Sequence, residues 1–183
     1  MSESDSISDE LQSELDALAV AGNVLADQGD YGGAITLFRR GFDLIPLPRE
    51  GRSASLWFAV AIGDMQWHSK DYRASLDTWR DALILYGGFG NPFVHLRRGQ
   101  MLLELGDEAE ASNELLRALL IGGEDLFARE ELDYWVFITS IAQAPEGYPD
   151  WIGWPGLPKG SPEYEKWTDP SDVYGFAQKS GGV

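Results

Sequence analysis

Two histidines, His68 and His95, no cysteine, and thirty carboxylates against fourteen Lys and Arg make up the chemically active side chains of this 183-residue chain. Without cysteine there is no thiol nucleophile, no thiolate metal site and no disulfide. Neither histidine stands in a HExxH or His-x-His arrangement that would set two imidazoles on one face. Each therefore reads as a surface or groove hydrogen-bonding group rather than an acid-base catalyst. Gly87, Gly88 and Gly90 are followed by no Lys-Ser/Thr pair and preceded by a helical pattern, which removes a phosphate loop. The pairs Glu108/Glu110 and Glu130/Glu131 have the residue types of a glycosidase or metal pair, yet they lie on acidic helix faces that solvation explains. No catalytic residue, metal ligand or cofactor is expected, and the chain is not read as an enzyme.

The carboxylates matter more as a field than as reagents. The net charge is -16, which repels nucleic-acid phosphates and anionic membrane surfaces and favours a basic partner. Residues 1–38 hold eight acids and no Lys or Arg, and Glu104 to Asp133 hold ten acids against Arg117 and Arg129. Solvated helix faces account for most of these acids individually. No run of about 18 apolar residues exists, and the opening MSESDSISDEL lacks the basic and apolar stretches of a secretory signal. A cytoplasmic protein is the expectation.

The elements that would position any site follow a ruler. A glycine precedes an aspartate by eight residues three times, as Gly22/Asp30, Gly63/Asp71 and Gly99/Asp107. Past each aspartate, four residues on, stand Ala34, Ser75 and Ala111; eight on, Phe38, Trp79 and Leu115; eleven on, Gly41, Ala82 and Ala118. Small residues flanking a bulky one are what two antiparallel helices need to approach and interlock. Pro46, Pro48 and Gly51 in PLPREGRS, and the glycines and proline of GGFGNP, are breakers between units. Helices are predicted over 9–28, 31–45, 53–69, 72–86, 92–105 and 108–121.

The pattern resembles the tetratricopeptide repeat, best in GNVLADQGDYGGAITLFRRGFDLIP with Gly22, Gly29, Asp30, Tyr31, Ala34, Phe38 and Pro46. The second copy carries Lys70 at the turn glycine and Ser75 at the usual alanine; the third has Glu108 at the turn tyrosine. The resemblance covers roughly 15–123 and implies an all-α fold: three helix hairpins stacked as a short right-handed solenoid. Leu126, Leu132, Trp135, Val136, Ile138 and Ile141 suit one face of a seventh helix that caps the last hairpin. The expected division is thus an array with its cap over 1–143 and a tail over 144–183. That tail, with six of the nine prolines and Trp151, Trp154, Tyr164 and Trp167, reads as irregular chain laid against the helices, because exposed aromatics would forgo about 1.5–3 kcal/mol each.

In such repeats the first helix of each unit lines a concave groove. Held in register, the groove residues of this chain include Asp16, Ala19, Val20, Asn23 and Asp27; Trp57, Asp64, Trp67 and His68; and Phe93, Leu96, Arg97, Gln100 and Glu104. Aromatic anchors among carboxylates suit a partner with apolar and basic side chains; the alternative is that the tail fills the groove. A carboxylate clamp, another use of such grooves, would find Asn23 and Arg97 in place but Ala19, Ala61 and Phe93 where lysines and asparagine belong. AIGDMQWHSKDYRASL and GNPFVHLRRGQMLLELGD are further similar to small acidic three-repeat bacterial proteins of a type encoded beside secreted toxins. That resemblance implies an immunity protein that binds and neutralises a basic toxin domain. A chaperone of a secretion substrate and a generic scaffold are the alternatives, and nothing in the residues fixes an oligomeric state.

Overall fold

The computed structural model describes residues 7–169 and is helical, with no strand among the described residues. The helices are α1 (Asp9–Asp27), α2 (Tyr31–Leu44), α3 (Ser53–His68), α4 (Tyr72–Ile84), α5 (Pro92–Glu104), α6 (Glu108–Gly122), α7 (Leu132–Ile141) and α8 (Pro162–Thr168). The first six end within two residues of the predicted bounds. The chain divides between Gly87 and Gly88 into two compact units. This break lies in the GGFGNP breaker rather than at Ala144, where composition changes, so the described tail belongs to the second unit.

The repeated aspartates are helix N-caps. Asp30 accepts from the Gly33 N–H at 2.9 Å, Asp71 from Ala74 at 3.3 Å and Asp107 from Glu110 at 3.2 Å, each satisfying an orphan donor of the helix it starts. The repeated glycines are where the two helices of a hairpin touch. A Cβ at Gly22 would fall 2.2 Å from Phe38, at Gly63 2.6 Å from Trp79, and at Gly99 2.5 Å from Leu115. The residues these glycines admit are all buried, Trp79 and Leu115 completely. Ser75 is small like Ala34 and Ala111, and its hydroxyl donates to the Gly63 carbonyl at 2.7 Å.

In the first unit α1 packs on α2, α2 on α3 and α3 on α4, around Leu15, Ala34, Phe38, Ile45, Phe58, Ile62 and Met65. In the second, α5 and α6 form the hairpin, and Leu96, Leu115, Leu119, Phe127 and Ile138 join Trp151 and Trp154 in one core. Leu96 is therefore core, not groove. The seventh helix buries only part of the expected face: Ile138 points inward together with Tyr134, and Trp135 packs partly buried on the same core, while Leu132, Val136 and Ile141 are 69%, 53% and 57% exposed.

The tail closes the end of α6. The Trp154 indole donates to the Leu119 carbonyl at 3.1 Å and the Leu157 amide to the Leu120 carbonyl at 2.7 Å; the Trp154 carbonyl accepts from Glu124 at 2.8 Å. Trp151 donates to the Ala142 carbonyl at the end of α7. One helical piece departs from the expected irregular chain: α8, capped by Ser161 with Pro162 at its first position, sets Trp167 under the Arg117 guanidinium, which also donates to the Trp167 carbonyl. A capping serine followed by proline at the first helical position supplies that start inside a Pro-rich stretch. Residues 170–183 of the expected tail, and Glu3 and Asp5 of the acidic N-terminus, lie outside the described residues.

Each hairpin turn passes through a left-handed residue just after the first helix: Gly29 (φ 79°), Lys70 (φ 60°) and Gly106 (φ 83°). Lys70 is the only non-glycine with positive φ among the described residues, and its Cβ costs about 1 kcal/mol there. Lys70→Gly is expected to stabilise the protein by about 1 kcal/mol, read as a raised urea midpoint. Gly29→Lys should do the reverse.

Candidate protein-binding site

On α1 the face away from the Leu15–Leu18–Gly22 core stripe carries Asp16, Val20, Asn23, Val24 and Asp27, spaced by three and four residues so that they share one side. All five are exposed, Val20 at 63% and Val24 at 49%. Between this face and α3 opens a cleft of about 460 Å³ lined by Gln12, Leu15, Asp16, Ala19, Val20, Ala54, Trp57 and Phe58. Trp57 stands 42% exposed, its ring held edge-on by Phe38 at 5.7 Å and Phe58 at 4.9 Å between centroids. A large indole pinned by two core rings loses little freedom on binding, which suits an anchor. Asp16 accepts from Gln12 at 2.7 Å and puts a carboxylate on the rim.

Further along α3 the structure places Asp64, Trp67 and His68 in local pairings. His68 stacks on Tyr31 at 5.3 Å with its Nε2 3.7 Å from Asp64, and Trp67 packs on Tyr72 at 5.0 Å. These contacts tie the end of α3 to the starts of α2 and α4. His68 is thus a surface group that stacks on Tyr31 beside the Asp64 carboxylate.

The residues expected from α5 are occupied within their own unit. Gln100 is fully buried and Arg97 nearly so. Arg97 donates to Gln100 Oε1 at 2.8 Å and to Glu130 Oε2 at 2.6 Å, and Gln100 donates to the same Glu130 oxygen at 2.8 Å. The Arg97 guanidinium also covers the Phe93 ring at 4.8 Å. Glu104, though exposed, accepts from the Tyr134 hydroxyl at 2.8 Å. The segment leading into α7 therefore seals the inner face of α5, and Arg97 and Gln100 are corrected from partner-facing to structural groups. The physical reason is that a terminal hairpin must cover its open face, and this one does so partly with charge.

His95 is the second correction. It is completely buried, with Nδ1 2.7 Å from Glu114 and Nε2 2.9 Å from the Phe89 carbonyl. Burial pushes the Glu114 carboxyl up, but the His95 hydrogen bond and the positive charges of Arg98, His95 and Arg117 outweigh it, so Glu114 lies below its ordinary value of 4.5. Arg98 reaches Glu114 at 3.3 Å.

Glu130, which the sequence suggests is a solvated helix-face acid, instead precedes α7 and is held by Arg97 and Gln100; the partners of Glu130 and Tyr134 lie some thirty residues away, beyond any local periodicity. Gln12, Ala54 and Phe58 were within its reach: Gln12 and Ala54 sit one turn before Asp16 and Trp57, and the register simply began a turn late. Among the described residues no group of three or more His, Asp and Glu could hold a metal ion, and no helix is long and apolar enough to cross a membrane.

No protein-family model matches the chain, and no curated protein is significantly similar to it. Among solved structures it is similar to the Yersinia enterocolitica type III secretion translocator chaperone SycD, with a TM-score of 0.54 at 17% identity, over 74% of this chain and 86% of that chain. At that identity the likeness is one of fold, a helical hairpin-repeat architecture.

Two outcomes follow for the buried charges. Glu130→Ala removes the carboxylate that Arg97 and Gln100 share and should cost about 3 kcal/mol in denaturant unfolding, whereas the exposed neighbour Glu131→Ala should change stability by no more than about 0.5 kcal/mol. Because the Glu114 pKa is depressed on folding, its stabilisation is present above the unfolded value and is lost as pH falls through the lower folded value. Glu114→Gln should therefore flatten the acid limb of the stability-against-pH curve below about pH 4.5.

Proposed function

We propose that this chain is a non-catalytic protein-binding module that holds an apolar, basic-flanked segment of a partner protein in the cleft between α1 and α3. The observation that carries the reading is that cleft: exposed Val20 and half-exposed Trp57 line it, and Asp16 stands on its rim with Asp27 further along the same face. A small, mostly apolar cleft suits the side chains of an extended or helical segment better than the flat face of a folded domain. A chaperone that sheathes an apolar segment of a secretion substrate is the use this geometry supports best. The likeness in fold to a type III secretion translocator chaperone supports it too.

The immunity reading is favoured by a different observation, the net charge of -16. A strongly acidic inhibitor associates quickly with a basic enzyme and occludes its phosphate-binding surface. The two uses part on what the partner must be. A chaperone binds a short unfolded segment, whereas an immunity protein needs the folded toxin domain and abolishes its activity.

The test begins with the partner recovered from the native host and cut into peptides and folded domains. Val20→Ser with Trp57→Ala should raise the dissociation rate and weaken binding by about tenfold or more. Val20→Ser alone should leave the melting temperature unchanged. Asp16→Lys with Asp27→Lys should slow association and flatten its salt dependence. Retention of affinity by a short peptide supports the chaperone use, and inhibition that requires the folded domain supports immunity. Undiminished affinity in the cleft variants would overturn the site.

A further inference from the structure

The second unit carries an apolar surface that its own core does not use. α7 buries Tyr134 and Ile138, and Trp135 packs partly buried against the same core, yet the adjoining side carries Leu132, Val136, Thr139 and Gln143 in or just beyond the helix at the three- and four-residue spacing of a single stripe, with Trp135 at its border. Leu132 is 69% and Val136 53% exposed. A globular helix of this length normally turns polar residues outward. Here the stripe runs into a cavity of about 550 Å³ where the chain turns back, walled by Trp135, Thr139, Tyr148, Trp151 and Ile152 with Asp150 at its edge. Ile152, on that wall, is itself 67% exposed.

The surroundings have one sign. From Glu130 to Pro158 there are five acids, Glu130, Glu131, Asp133, Glu146 and Asp150, and no Lys or Arg. Glu130 is committed to Arg97, but Glu131, Asp133, Glu146 and Asp150 are exposed. Aromatic rings at the wall of a cavity attract a cation over their faces, and a rim of carboxylates raises its local concentration.

We infer that the stripe on α7 and the adjoining aromatic cavity form a second docking surface, distinct from the α1–α3 cleft, for a partner segment that sets apolar side chains beside Lys or Arg. The apolar residues lie along Leu132, Val136 and Ile152. The cationic side chain enters between Trp135 and Tyr148, beside the Asp150 carboxylate. Exposed apolar side chains gathered beside an aromatic cavity mark interaction sites on proteins, and the charge around them selects a basic occupant over an acidic one.

The probe is a fluorescently labelled amphipathic helix of leucine and lysine, compared with the same peptide carrying glutamate in place of every lysine. Anisotropy should show that the intact protein binds the lysine peptide and not the glutamate one. Leu132→Ser, Val136→Ser and Ile152→Ser together remove apolar area without changing charge, and should weaken binding about tenfold or more. Circular dichroism would confirm that these exposed substitutions leave the helices intact. All of these measurements are made in the cleft variant Val20→Ser with Trp57→Ala, because the cleft proposed above would itself take such a peptide; binding that persists there and falls on the three serine substitutions belongs to the α7 surface. Equal binding by the serine variant, or equal binding of the glutamate peptide, would overturn the inference. So would sedimentation as a dimer that the serine variant converts to monomer, since the occupant would then be a second copy.

Discussion

Everything in the hairpins depends on how closely two helices approach at one point. At Gly22, Gly63 and Gly99 a hydrogen stands where any other residue would bring a carbon to within 2.2–2.6 Å of Phe38, Trp79 or Leu115. The bulky residue fills the notch, and small residues at Ala34, Ser75 and Ala111 let the helices interlock. A core packed to this density resists added volume, so enlarging a notch glycine forces rotamers or backbone to move at a cost of about 1–3 kcal/mol. The same constraint acts between hairpins, where a Cβ at Gly41 would meet Phe58 at 2.4 Å.

This is why so much of the fold could be read from the residues. Notch glycine, N-cap aspartate and bulky knob are fixed offsets along a chain, and the helices they imply end within two residues of where they form. The same logic failed on α7. Leu132, Val136 and Ile138 all fit an apolar pattern, but a helix apolar on nearly every side does not tell its inner face from its outer one. Only the position of Phe127, Trp151 and Trp154 in the core selects Tyr134 and Ile138. The helix α8 was hidden by a composition dominated by proline, although Ser161-Pro162 is itself a helix start.

The candidate site was legible in part. Asp16 and Trp57 meet at one cleft, as a shared register on the first helices implies. Arg97 and Gln100 follow the same register and do something else, because a terminal repeat is not equivalent to an internal one. With no further hairpin to cover it, the inner face of α5 takes Glu130 from the segment that follows, at 2.6 Å and 2.8 Å. Periodicity assigns positions that are equivalent along a helix; it carries no information about what the next segment of chain brings to them.

The way the tail meets α6 also limits the architecture. Solenoids lengthen by inserting hairpins, each new one resting on the exposed end of the last. Here the Leu119 and Leu120 carbonyls are occupied by Trp154 and Leu157, and Gly123 comes so close that a Cβ there would sit 2.6 Å from the Trp154 carbonyl. A hairpin added after α6 would have to evict two buried tryptophans before finding a surface to rest on. Growth by duplication is therefore barred at this end, and variation in repeat number within this architecture has to arise upstream of α6.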